Sequence, residues 1–183
     1  MNTITTSIKN MLLVAVFTIV TIGGAVAQKG TKTIGNKPRS GSSNSSFDMV
    51  KGNQVAIKMN AGHKPVQLLK LSFDVDNDSH DSLQFKVNIY EFNDVTPGPN
   101  LVKQDVYGAI PGGKNKITVD LEPYNIVAKK QILVAIEWVK SYNANNHFAI
   151  GLFNGGTYRF EQGMWKKTPV AGVDFNVLVR KAG

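Results

Sequence analysis

Apolar and polar positions alternate through most of the chain beyond residue 54. Val55, Ile57 and Met59 alternate with Gln54, Ala56 and Lys58. Leu69, Leu71, Phe73 and Val75 alternate with Lys70, Ser72 and Asp74, and Leu83, Phe85, Val87 and Ile89 with Gln84, Lys86, Asn88 and Tyr90. The same rule returns at 117–121, 148–152 and 173–179. A period of two puts successive side chains on opposite faces of a strand, so each segment predicts a strand with one buried and one wet face. Ile132-Leu133-Val134-Ala135-Ile136 is apolar at every position. It predicts a central strand covered on both sides. Turn chemistry separates the runs, at Asn60-Ala61-Gly62, Asp76-Asn77-Asp78-Ser79, Thr96-Pro97-Gly98-Pro99-Asn100, Pro111-Gly112-Gly113, Asn143-Ala144-Asn145-Asn146 and Asn154-Gly155-Gly156. The expected fold is all-β: an antiparallel β-sandwich of about eight to ten short strands, with a jelly roll as the preferred topology and an immunoglobulin-like sandwich as the alternative.

The first residues follow a different pattern. Lys9 precedes an apolar core over 11–22, which ends in Gly23-Gly24 and Ala25-Val26-Ala27. A basic start, a short apolar core and an A-x-A end are the parts of a cleavable secretory signal. A spanning helix needs about 20 apolar residues, more than this core offers. Residues 1–27 are therefore read as the signal, 28–46 as a flexible polar linker and 47–183 as the sandwich domain. The linker reading rests on Gly30, Gly35, Pro38 and the run Arg39-Ser40-Gly41-Ser42-Ser43-Asn44-Ser45-Ser46, which offers little surface to bury. No second segment is apolar enough to span a bilayer, so the mature chain is expected to lack a membrane span.

Composition narrows the destination. The chain has no cysteine, which excludes both a disulfide scaffold and a lipid-modified N-terminal cysteine. The expectation is a periplasmic or secreted product that is not a lipoprotein. The net charge of +8 falls to about +7 once Lys9 is removed. The lysines form no long run, only pairs such as Lys129-Lys130 and Lys166-Lys167. Solubility accounts for them better than a dedicated basic site, and a nucleic-acid partner is not expected.

Candidate chemistry is sparse. Asp74, Asp76, Asp78 and Asp81 offer hard oxygens at short spacing, as a calcium loop would. An EF-hand starting at Asp74 would need Gly at Ser79 and Glu at Phe85, so that motif fails. The competing reading is a solvated turn whose side chains bond the local backbone. No other cofactor is indicated. His63, His80 and His147 lack metal-ligand spacing. There is no nucleophile elbow, but Glu137 in the most apolar segment is the residue a hydrolase would use as a general acid. Trp165, Tyr158 and Tyr142 are the candidate aromatic platform for sugar rings, against the favoured competing reading that Trp165 caps the open end of the sandwich, whereas Trp138 belongs to the core.

Four segments carry a family resemblance: Val87-Asn88-Ile89-Tyr90, then Pro97-Gly98-Pro99-Asn100-Leu101, then Ile117-Thr118-Val119-Asp120-Leu121-Glu122-Pro123-Tyr124-Asn125-Ile126, and Glu137-Trp138. Over about 55–179 the chain resembles a β-sandwich module of secreted and envelope proteins of Gram-negative bacteria, often found beside a carboxypeptidase-regulatory-like domain. The resemblance implies a jelly-roll-like sandwich and no catalytic residue. The function expected from residues and resemblance together is non-enzymatic: an exported domain with a binding, adhesive or structural role in the cell envelope, whose partner is a glycan or an envelope protein. A carbohydrate-binding module is the first alternative and a hydrolase the second.

Overall fold

The computed structural model describes residues 30–36, 43–93, 95–152 and 154–183. The expected signal therefore lies outside the described residues, as does the part of the linker over 37–42. The described chain is an all-β sandwich in which every strand pair is antiparallel. Its spine is β3 (Gln54–Asn77), a strand of 24 residues that belongs to both layers. The first half of β3 pairs with β8 (Val127–Trp138) on one side and β10 (Thr157–Glu161) on the other. β4 (Leu83–Phe92) follows β8, with β5 (Pro97–Asn100) and β6 (Val106–Ile110) beyond it. A hairpin with β11 (Met164–Thr168) extends the layer past β10. The second half of β3 pairs with β7 (Gly113–Asp120), β9 (Asn146–Leu152) and β13 (Asn176–Lys181).

The expected break at Asn60-Ala61-Gly62 is a bulged corner instead of a chain-reversing turn. The β3–β8 register jumps between Asn60 and Gly62 and again between Gly62 and Val66. Gly62 takes φ +95°, which glycine adopts without the steric cost of a Cβ. Its N–H donates to Asn60 Oδ1 at 2.9 Å. Bulges are how one strand turns from one sheet into the other. A second departure lies at the start. Segment 28–46 is not wholly linker, because β1 (Thr31–Gly35) pairs with β13 and β2 (Asn44–Ser45) pairs with β9. Ile34 is the anchor, buried in the core among otherwise polar neighbours. A third departure is β5, expected as a turn. Its prolines sit on an edge strand, where a missing N–H is tolerated. β12 (Ala171–Val173) completes the set by pairing with β9.

The inward rows meet as expected. Val55, Ile57, Leu71, Phe73, Phe85, Val87, Val134, Ile136, Trp138, Phe148, Phe175 and Val177 fall in one cluster. Phe73 of one layer meets Phe85 of the other edge-on at 5.7 Å, and Trp138 lies 6.3 Å from Phe148. Each such ring stabilises the fold by about 1.5–3 kcal/mol through removal from water alone. β8 is covered on both faces, as its composition predicts. Leu133 and Ala135 point away from the main core and are buried with Ala56, Phe92 and Tyr158. Among the described residues, no helix is long and apolar enough to cross a membrane.

Candidate functional site

The outer face of the β10–β3–β8–β4 layer carries the site. In an antiparallel ladder, directly opposed residues share a face. One row crosses five strand pairs: Trp165 opposes Phe160, Phe160 opposes Gln54, Gln54 opposes Glu137, Glu137 opposes Lys86 and Lys86 opposes Tyr107. The neighbouring row is Lys167, Tyr158, Ala56, Ala135 and Asn88. Two alanines side by side leave a trough, and the Tyr158 ring fills it, meeting Phe92 edge-on at 5.2 Å.

The aromatic end is a half-buried shelf. Trp165 packs edge-on against Tyr90 at 6.0 Å and tilts against Phe160 at 5.4 Å. Those contacts fix the indole orientation while leaving part of its surface in solvent. The middle of the row is a hydrogen-bonded polar strip. Asn88 is 3 % exposed yet fully partnered. Its Nδ2 donates to Glu137 Oε2 at 2.6 Å and to Gln54 Oε1 at 3.4 Å, and its Oδ1 accepts from Asn100 Nδ2 at 3.0 Å. The Tyr90 hydroxyl donates to Gln54 Oε1 at 3.0 Å. Burial raises the Tyr90 pKa, the Gln54 bond opposes that, and the Glu137 charge raises it further, so the phenol stays a donor. Lys86 Nζ lies 3.7 Å from Glu137 Oε2 and 3.9 Å from Asp105 Oδ1. The exposed Tyr107 closes the strip, its hydroxyl donating to Asp105 Oδ2 at 2.9 Å. That bond, with the Asp105 charge, raises the Tyr107 pKa as well.

Three of the four segments quoted above, 87–90, 97–101 and 137–138, meet here, and the segment 117–126 does not. Asn88, Tyr90, Asn100 and Glu137 form one network, although Asn88 and Glu137 are 49 residues apart in the chain. This fold has counterparts among solved structures. A structure of the cysteine protease and lectin-like domains of Cwp84, a surface-layer-associated protein of Clostridium difficile, is similar with a TM-score of 0.52 and 9 % identity, covering 79 % of this chain and 37 % of that one. A structure of the clostridial protease after propeptide cleavage gives a TM-score of 0.57 and 10 % identity, covering 84 % of this chain and 41 % of that one. The chain thus spans about two-fifths of these proteins, and identity this low establishes the fold alone. No protein-family model matches the sequence, and no curated protein does either.

The three candidate platform aromatics separate in space. Trp165 is on the shelf. Tyr158 is 8 % exposed, with Lys167 Nζ 5.5 Å from its ring centre. It supports the shelf from below and presents no free face. Tyr142 lies elsewhere, against Trp138 at 6.2 Å, with its hydroxyl bonded to the Gln84 backbone. Glu137 accepts from Asn88 Nδ2 at 2.6 Å and lies 3.7 Å from Lys86 Nζ, so it is paired on the sheet face. Gln54, Asn88, Asn100 and Tyr107 were not legible as site residues, because only the cross-strand register assembles them.

The acidic loop also divides. Asp74 and Asp76 face a cavity of about 610 Å³ that is also lined by Asn44, Lys114, Lys116 and His147. Asp78 instead bonds His147 Nε2 at 2.9 Å, while Ser46 bonds Nδ1. Asp81 belongs to a turn organised by Asn77, whose side chain binds the Asp81, Ile110 and Pro111 carbonyls. Among the described residues, no three His, Cys, Asp or Glu side chains are grouped to hold a metal ion. The sequence offered no hint of Asp174, which stands beside Asp74. It is 4 % exposed, and neither carboxylate oxygen has a hydrogen-bond partner among the described residues. Burial first, and then the neighbouring Asp74 carboxylate, push its pKa up to about 7, with Lys116 opposing.

Proposed function

We propose that this chain is an exported, non-catalytic binding domain of the cell envelope that holds a glycan on its outer sheet face. The observation that carries the reading is the row Trp165–Phe160–Gln54–Glu137–Lys86–Tyr107 on one sheet face, all partly or fully exposed except the buried Gln54. A half-buried indole stacks on the apolar face of a sugar ring, while the Glu137 carboxylate, the Lys86 ammonium and the exposed Tyr107 phenol bond hydroxyls along the same face. Glu137, bonded to Asn88 and 3.7 Å from Lys86, supports the reading as an oriented polar contact on the binding face. The chain's structural likeness to a surface-layer-associated protein that carries a lectin-like domain agrees with an extracytoplasmic, sugar-facing role, as does the resemblance to envelope modules.

The test is a glycan array probed with the full chain, followed by calorimetry on any hit. Trp165→Ala should weaken binding at least tenfold, since stacked aromatics are the usual anchors of a binding face. Its thermal unfolding should stay cooperative. A chain that binds no member of a broad set, or a Trp165→Ala variant that binds as tightly as the parent, would defeat the reading.

A further inference from the structure

At the corner where β3 changes layers, a second groove opens away from the sheet face. It has a volume of about 520 Å³, within the range of small-molecule sites. Its floor is apolar, made by Ala61, Val66 and Val179. Its rim is basic: Lys32 from β1, His63 and Lys64 from the bulge, and Arg180 and Lys181 from β13. Among the described residues, no acidic side chain lines it.

The fold creates this concentration of charge. The register jump between Gly62 and Val66 lifts His63, Lys64 and Pro65 out of the ladder. Pairing of β1 and β3 with β13 then brings Lys32 and Lys181 to the same opening. Gly62 leaves the space open, and a Cβ built there would lie 3.7 Å from Lys32 Nζ. Arg180 is already neutralised by Glu122 at 2.8 Å and bonded to Gln67. Lys32, Lys64 and Lys181 have no ion-pair partner among the described residues, and all three are exposed. The lysines look dispersed along the chain, but they converge here.

We infer that this corner groove binds an organic phosphate: a phosphoryl group held by Lys32, Lys64 and Lys181, on an apolar stem that lies over Ala61, Val66 and Val179. A phosphate carries nearly two negative charges at neutral pH, matching a rim of several ammonium groups better than a single carboxylate does. The apolar floor calls for a carbon body and not a bare ion. The phosphoryl group could belong to a soluble ester or to a lipid headgroup, which share this chemistry.

Hexyl phosphate, inorganic phosphate and phosphatidylcholine vesicles with or without phosphatidic acid are the probes, each titrated into the full chain. Hexyl phosphate should bind more tightly than inorganic phosphate. Lys64→Gln and Lys181→Gln should each weaken it about two- to fivefold, the scale of one exposed charge contact. Lys103→Gln removes the same charge at an exposed position outside the groove lining and should leave affinity unchanged. Vesicle binding that needs phosphatidic acid and is lost in the same two variants identifies the lipid source; hexyl phosphate binding without it identifies a soluble one. Equal affinity for hexyl and inorganic phosphate, equal weakening by Lys103→Gln, or no hexyl phosphate binding at all would overturn the inference.

Discussion

Replacing Asp174 with asparagine should stabilise this protein in alkaline solution. The carboxyl of Asp174 is buried beside Asp74 without a hydrogen-bond donor among the described residues. Its pKa rises from 3.8 to about 7, chiefly through burial and then through Asp74. The folded protein therefore retains a proton that the unfolded chain releases above about pH 4. The stabilisation from this site is fully present below the unfolded value and is lost as pH rises through about 7. The shift is roughly three units at about 1.4 kcal/mol each, which sets a ceiling near 4 kcal/mol. Admission of water to the cavity on ionisation lowers that to the order of 2–4 kcal/mol. Asparagine keeps the shape, carries no charge and offers Asp74 an amide donor. Urea unfolding at intervals from about pH 4 to pH 8.5 gives the difference between Asp174→Asn and the parent, which cancels the other titrating groups. That difference should be small in acid and grow in favour of the variant through neutrality. A difference that stays flat across the range, or grows in the opposite sense, would refute the reasoning.

Two further substitutions test packing and the polar strip. Gly108→Ala would drive a Cβ into the Phe85 ring, so denaturant unfolding should show a loss of about 1–3 kcal/mol from overpacking. Asn88→Ala should cost a similar 1–3 kcal/mol, because it strands the Glu137, Gln54 and Asn100 side-chain atoms that Asn88 now bonds, and any glycan affinity should fall with it.

The strands with a two-residue period were legible because one face of each is buried, and a one-residue slip would turn every apolar side chain outward. Shorter or edge elements were not. β1 shows a single anchor, Ile34, and draws the rest of its order from backbone bonds to β13, which leave no mark on composition. β5 reads as a turn because Pro97 and Pro99 suit turns and edges equally. The corner at Gly62 looked like an end because bulges and turns draw on the same residues. The site was legible one residue at a time. Trp165 was identified by its polar surroundings, but nothing local distinguishes it from Tyr158, which the pair Ala56 and Ala135 allows to sink into the sheet.

That pair of alanines links the fold to the proposed binding face. A central strand with both sides apolar needs a cover on its outer side as well as its inner one. Here the cover is made from side chains of the sheet itself. Alanine at 56 and 135 lowers the floor, Tyr158 and Phe92 close over it, and Lys167 lies against the tyrosine. The adjacent row cannot sink in the same way, because Gln54 and Glu137 stand where the alanines would be. Their polar ends must be partnered, and Asn88, Tyr90 and Lys86 supply the partners. Trp165 and Phe160 then rest at the end of a polar strip that the core does not absorb. The demand for a sealed β8 thus yields one buried aromatic row and, immediately beside it, an amphipathic row in partial contact with solvent.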